Sequence, residues 1–175
     1  MIEWSRIESM AECRNSDWWG LYEQAFPPSE RRSSAQHAAA MDDAAFHCFS
    51  LSDESGFAGI FAYWEWDSIA YIEHFAIVPG RRGQGLGHRV LESMAGRNLI
   101  LEIEPIEDAH TARRFSFYES CGFERVCQPH LQLAYQAGQP DVPLWLMSRP
   151  GLAAGEIEDF ERLYHAGPMR YRDEA

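Results

Sequence analysis

Phe75-Ala76-Ile77-Val78-Pro79-Gly80-Arg81-Arg82-Gly83-Gln84-Gly85-Leu86-Gly87-His88 is the stretch whose reading decides the fold. It passes from a run of apolar residues through Pro79-Gly80 into a glycine-rich turn. A helical pattern follows, with Leu86, Val90 and Met94 at i, i+4 and i+8. A helix start leaves backbone N–H groups without partners, and the helix dipole adds partial positive charge there. Glycines let such backbone approach an anion closely, and Gly83, Gly85 and Gly87 supply that room. Arg81 and Arg82 add positive charge. The G-x-G-x-G spacing departs from the dinucleotide fingerprint G-x-G-x-x-G. Gly80 to Gly85 has the first spacing of the ATP loop, but Leu86 stands where that loop needs a lysine. Both nucleotide readings fail at the residue that matters.

Outward from this turn, strands and helices alternate. Before it, Ile2 to Ile7, Ala44 to Leu51, Phe57 to Trp66 and Ile69 to Val78 read as strands. Asp17 opens a helix through Phe26, which Pro27-Pro28 stops, and Ser29-Glu30 opens a second through Met41. Asp67-Ser68 reads as a two-residue hairpin turn. After the glycine turn come a helix from Leu86 to Arg97, a strand from Leu99 to Glu104 and a helix from Ala109 to Cys121. Gly122 ends that last helix, with Phe123 placed to close its C-cap. Gly122 to Cys127 and Val142 to Ser148 supply the last strands. The class is mixed α/β, as one domain over residues 1–149 with a tail over 150–175. In that tail Ile157, Phe160 and Tyr164 form an apolar helical stripe suited to a homodimer contact.

The chain has 175 residues, of which 46% are hydrophobic, enough for a single packed core. No apolar run is long enough to span a membrane. The amino terminus lacks the basic and apolar regions of a secretory signal. The cysteines, Cys13, Cys48, Cys121 and Cys127, show no C-x-x-C pair and no zinc-like spacing. Reduced thiols in a cytoplasmic protein are the plain reading. A formal net charge of −12 repels nucleic acid. It makes each arginine near an anion site informative.

The segment Arg82 to Gly87 reads R-x-x-G-x-G. With the strand before it, it resembles the coenzyme A loop of the GCN5-related N-acetyltransferase (GNAT) superfamily. Phe117-Tyr118-Glu119-Ser120-Cys121-Gly122-Phe123 is similar to that family's F-Y-E-x-x-G-F segment. The likeness follows element order from Ile2 to Ser148 and is specific across Tyr71 to Phe123. It implies a central, mostly antiparallel, splayed sheet of about six or seven strands with helices on both faces. It implies transfer of an acetyl group from acetyl-CoA to an amine. Backbone from Arg82 through Gly83, Gln84, Gly85, Leu86 and Gly87 to His88 would hold the pyrophosphate. Backbone near Phe75, Ala76 and Ile77 would pair with the pantetheine arm. Thr111 stands where the family often carries an Asn that contacts pantetheine, and Arg114 would reach a coenzyme phosphate or a nearby carboxylate.

An alkyl ammonium has a pKa near ~10.4, so freeing its lone pair at pH 7 costs about 4–5 kcal/mol. The leaving thiolate needs a proton. By its place in the motif Tyr118 is the candidate acid, and Glu73, four residues before Ile77, is the candidate base. His74 faces away from Glu73 on an ideal strand. If Asp67-Ser68 is the hairpin turn, Trp64 pairs with Tyr71, and Ala62 with Glu73. Trp64, Trp66 and Tyr71 then form an aromatic wall beside the Glu73 carboxylate, suited to a cationic amine or to packing beneath a helix. Phe26 and Glu30 are secondary acceptor contacts. Acceptors of three kinds remain open: a small cationic amine, a protein or peptide amine, or none at all in a coenzyme-binding sensor.

Overall fold

The computed structural model describes residues 1–67 and 69–173. In chain order the elements are β1 (Glu3–Arg6), α1 (Met10–Asn15), α2 (Asp17–Ala25), α3 (Ser34–Met41), β2 (Phe46–Asp53), β3 (Gly56–Glu65) and β4 (Ala70–Ile77). Then follow α4 (Leu86–Ser93), β5 (Leu99–Ile103), α5 (Ala109–Ser120), β6 (Glu124–Gln132), β7 (Val142–Arg149) and α6 (Ala154–Ala166). The strands form one seven-stranded sheet ordered β1-β2-β3-β4-β5-β7-β6. Every pairing is antiparallel except β4 with β5.

Local chemistry sets the boundaries. Ser16, rather than Asp17, caps α2 by accepting from the Trp18 amide at 3.3 Å. Helix α1 is absent from the sequence reading, although its capping pattern was there: Ser9 Oγ accepts from the Glu12 amide, and Glu12 reaches back to the Glu8 amide. The helix expected from Ser29 to Met41 is split into a 3-10 turn at Pro28–Glu30 and α3, which a Ser33–Gln36 capping box starts. Gly122, at φ +85°, ends α5, and the Phe123 amide closes onto the Tyr118 carbonyl at 3.0 Å.

Each face of the sheet carries its own apolar layer. Helices α4 and α5 bury Leu86, Val90, Leu91 and Phe117 on one face. Helices α1, α2, α3 and α6 cover the other with Cys13, Trp18, Tyr22, Ala40, Phe160 and Tyr164. The C-terminal segment is therefore part of the same packed body rather than a tail. Phe160 and Tyr164 have no exposed surface, which removes the stripe as a dimer contact. Among the described residues no helix is long and apolar enough to cross a membrane.

The same packing corrects the aromatic wall. Trp64 and Tyr71 do pair across the hairpin and share a face, but both are fully buried. Trp64 stacks between Trp66 and Tyr171, and Tyr71 packs on Phe160 and Tyr164. Trp64, Trp66 and Tyr71 are floor for α6 and contact no open cleft. Ser68, half of the expected turn, lies outside the described residues.

The register holds from Glu65↔Ala70 to Tyr63↔Ile72 and then slips, because Ala62 faces His74. Glu73 is the extra residue of a β-bulge. Glu73 and His74 consequently project to the same face, contrary to the ideal alternation. Into this bulge Arg32 turns its guanidinium from the α2–α3 connection. Nη1 and Nη2 bond the two Glu73 oxygens at 2.7 Å each, and Nη2 also donates to the Pro168 carbonyl at 2.8 Å. Both side chains are sealed from solvent, at 0% and 1% exposure.

Removing one partner of a buried pair strands the other charge. We therefore expect Arg32→Met to lower stability by about 3–5 kcal/mol in urea titration. Adding Glu73→Gln to it should recover part of that loss; a double variant less stable than the single one would contradict this account.

Candidate active site

The bulge coincides with the place where the sheet opens. Strands β4 and β5 pair only over Ala70↔Leu99, Tyr71↔Ile100 and Ile72↔Leu101. Beyond Ile72 they diverge, leaving Phe75, Ala76 and Ile77 along one wall of a wedge and Leu101 to Glu104 along the other. The wedge is a cleft of about 1220 Å³, bordered by the 83–88 turn, α5, and the Phe26–Glu30 segment.

The glycine turn sits at its rim. Among the described residues, the backbone amides of residues 83 to 88 have no protein acceptor. Gly83 and Gly85 hold φ of +74° and +72°, and a Cβ built at either meets no atom within 4 Å, so both face open space. This row of free donors at the head of α4 fits a diphosphate. Gly87 has a different reason. A Cβ there would lie 2.8 Å from the Phe117 ring, so its smallness lets α4 and α5 pack closely. Arg81 is also reassigned. It is ion-paired with Asp53 and bonded to the Gly56 and Phe57 carbonyls, bracing the β2–β3 turn. Arg82 donates Nε to the Ile77 carbonyl and is otherwise exposed at the rim, and His88 bonds Ser120.

Thr111 does not reach the cleft. Its hydroxyl joins the Asp108 capping box, accepting from the Glu107 and Asp108 amides at 3.0 Å. The neighbours His110, Arg113 and Arg114 line the cleft instead. Arg114 pairs with the Glu104 carboxylate. The Tyr118 side chain, half-buried, borders the cleft, and its hydroxyl has no partner among the described residues. Burial pushes its pKa up to about 12 against the opposing pull of Arg114. The phenol therefore stays protonated throughout the neutral range.

Four glutamates border the cleft, Glu73 by its backbone with its carboxylate turned into the bulge, and their surroundings differ. Glu73, the candidate base, is unsuited to that role. Besides Arg32 it accepts from Trp64 Nε1 at 3.1 Å and from the Tyr135 hydroxyl at 2.8 Å. Burial alone would raise its pKa, but the Arg32 charge holds it well below the usual carboxylate range. With its lone pairs engaged it is an anchor. Glu102 accepts from the Tyr71 hydroxyl at 2.6 Å and from His130 Nε2 at 2.5 Å. Glu104 is held by Arg114, and Glu30 stands on the 3-10 turn. Glu102 and Glu104 were legible as polar residues alternating with Leu101 and Ile103 on a buried strand. Tyr135 and His130 carried no comparable signal.

Away from the cleft, the fold gathers Cys13, His37 and Cys48, whose ligand-type atoms lie within 4.8 Å of one another. Sequence spacing could not show this, because α1, α3 and β2 contribute one each. Burial, with Arg32 nearby, brings the His37 pKa down to about 3, and burial raises the Cys48 thiol, so these two pack in neutral form.

A splayed mixed sheet with free helix-start amides at the mouth of the split defines an acyl-coenzyme A-dependent transferase. The acetyltransferase (GNAT) domain family matches residues 40–125. The Bacillus subtilis (strain 168) protein YjbC, to which acetyltransferase activity is ascribed, is 25% identical over 85% of this chain and 69% of its own length. A solved GNAT-family protein from Bacteroides thetaiotaomicron, likewise ascribed as an acetyltransferase, is 27% identical. It superposes with a TM-score of 0.82, over 93% of this chain and 96% of that one. An aminoglycoside 6'-N-acetyltransferase solved with coenzyme A shares the fold at 16% identity and a TM-score of 0.55, over 83% and 95% of the two chains. The chain belongs to the GNAT superfamily of acetyltransferases, with acetyl-CoA as its acyl donor.

His130 lies between Glu102 and Glu161. Burial works to lower its pKa, but the two carboxylate bonds carry it up from 6.5 to about 9. A group raised in the folded state stabilises fully below its unfolded pKa and ceases to do so as pH rises through the folded one. Unfolding free energy should thus drop by roughly 2–3 kcal/mol between pH 6.5 and 10. His130→Gln should flatten that slope, as read from urea midpoints across the range.

Proposed function

We propose that this chain transfers the acetyl group of acetyl-CoA to a primary amine on a small cationic molecule. The observation carrying this reading is the row of acceptor-free amides from residue 83 to residue 88, opening on the same cleft as Tyr118 and the carboxylates. When bound, the donor supplies a thioester carbonyl to the cleft. Amides from residues 83–88 and the Arg82 charge hold its diphosphate. The unpaired edge of β4 from Phe75 to Ile77 offers backbone donors and acceptors to its amide-bearing arm. Arg114, turned to Glu104, shapes the far side of the cleft.

The Tyr118 hydroxyl is the proton donor for the departing thiolate. The phenol holds its proton at working pH, and its hydroxyl has no partner among the described residues. At the acceptor end Arg114 offsets Glu104 and His130 offsets Glu102, which leaves the Glu30 carboxylate as the free negative group beside the apolar Phe26. Such a lining favours an ammonium group. The name of the aminoglycoside-modifying relative is in keeping with a polycationic acceptor.

Release of free thiol from acetyl-CoA across a panel of polyamines, amino sugars and amino-terminal peptides tests the reading. Turnover on the small cations is expected. Activity confined to peptides would replace it with protein acetylation, and tight coenzyme binding without turnover would replace it with a sensor. Tyr118→Phe should lower kcat by about 100-fold while leaving coenzyme affinity nearly intact. Gly85→Val places a branched residue at φ +72°, within the free-amide row. It should weaken free coenzyme A at least about 100-fold in calorimetry, because the turn must rearrange.

A further inference from the structure

The four cleft glutamates differ in one respect. Glu73 is saturated by Arg32, Trp64 and Tyr135; Glu102 is held by Tyr71 and His130; Glu104 is paired with Arg114. Glu30 alone among the four has a half-buried carboxylate with no hydrogen-bond or ion-pair partner among the described residues. A desolvated carboxylate without a partner costs free energy unless something else uses it.

The segment that carries Glu30 is fixed with unusual completeness. Arg31 Nε bonds the Phe26 carbonyl at 3.0 Å, and the Glu30 amide bonds the Pro27 carbonyl at 2.9 Å. Gln132 Nε2 reaches the Ser29 carbonyl at 3.2 Å, and His74 Nε2 donates to the Glu30 carbonyl at 2.9 Å. Gln136 Nε2 takes the Arg31 carbonyl at 3.0 Å. A turn on the cleft rim is thus clamped from β4, from β6 and from the loop after β6. Rigid support of a single unpartnered group is what a reacting carboxylate requires.

We infer that Glu30, rather than Glu73, takes the proton from the acceptor's ammonium group. The inference rests on the acetyltransferase reading above. An N–H bond of the ammonium breaks as an O–H bond forms on the Glu30 carboxylate. The freed nitrogen lone pair attacks the thioester carbonyl; as the C–S bond breaks the thiolate takes the Tyr118 proton, and the second proton that the nitrogen must lose passes through water to the phenolate and restores Tyr118. Glu30 returns its proton to water in the open cleft. The groups facing Glu30 are Glu104 just past β5, Glu102 from β5, Arg114 from α5 and His74 from β4. Burial first, then the two glutamates, raise its pKa above the ordinary carboxylate value, so it is a stronger base than the locked Glu73.

The test uses the full chain, acetyl-CoA and whichever of spermidine, kanamycin or lysine turns over fastest, with kcat and KM followed from pH 5 to pH 10. Wild-type kcat should climb through the Glu30 titration and then level. Glu30→Gln should lower kcat about 100-fold at pH 7, and its rate should keep rising about tenfold per pH unit toward the acceptor's own pKa. Glu30→Asp should keep the wild-type shape at an intermediate rate. Coenzyme affinity by calorimetry should be unchanged in both variants, which also reports that they fold. A Glu30→Gln enzyme with the wild-type kcat profile would overturn the inference. So would a defect confined to KM, which would make Glu30 an anchor only. A wild-type chain that releases no thiol with any of the three acceptors, or gives no heat with coenzyme A, would remove the acetyltransferase reading itself.

Discussion

The fold turns on a buried charge pair. Arg32 and Glu73 sit without solvent contact, and a pair so placed stands only if its remaining hydrogen-bonding capacity is met. Trp64, Tyr135 and the Pro168 carbonyl meet most of it, while Arg32 Nε has no partner among the described residues. The guanidinium also lies over the Tyr135 ring at 4.8 Å. Five parts of the chain therefore meet at one point: the α2–α3 connection, β3, β4, the loop after β6 and the C-terminal segment. Replacing the pair with apolar residues could preserve packing, but it would discard the directional bonds that hold these parts in one arrangement.

That arrangement explains the cleft. Glu73 is the inserted residue of the β4 bulge, and β4 leaves β5 at the preceding residue. Bulges bend and twist a strand, so the insertion that points Glu73 at Arg32 also swings Phe75 to Ile77 away from β5. The opened edge and the free amides of the glycine turn then face the same space. On the opposite side, the Phe26–Arg31 segment is held by the residues that surround the ion pair, notably His74. One buried carboxylate shapes the pocket without taking part in its chemistry, and an unpaired one stands at the pocket's rim.

Much of this was legible in residues alone, for physical reasons. The glycine turn announces itself because positive φ and close approach demand glycine, and Gly83 and Gly85 do adopt that conformation. Strand and helix order followed from periodicity and punctuation, with the sheet's seven strands in the expected range. The bulge was not legible, since nothing in Ile72-Glu73-His74 marks an insertion, and that one residue turned Glu73 from candidate base to anchor and brought His74 to its face. The aromatic wall was placed on the correct face, and of its two readings the packing beneath a helix is the one the burial supports. Alternation tells which side a ring occupies and not whether a helix or a ligand will cover it. Arg81 and Thr111 were misjudged for a related reason: each is spent on a local turn or cap whose partner, Asp53 or Asp108, lies within reach in space or sequence.

The seating of the C-terminal segment has a bearing on biogenesis. The Pro168 carbonyl completes the coordination of Arg32, Tyr171 lies on Trp64, and the Asp173 amide bonds the Tyr135 carbonyl. Arg32, already paired with Glu73, thus waits for residues 168–173 before its guanidinium is enclosed. A nascent chain that has not yet reached Pro168 leaves this guanidinium open to water on that side. Synthesis must pass residue 173 before this body can close around its own middle.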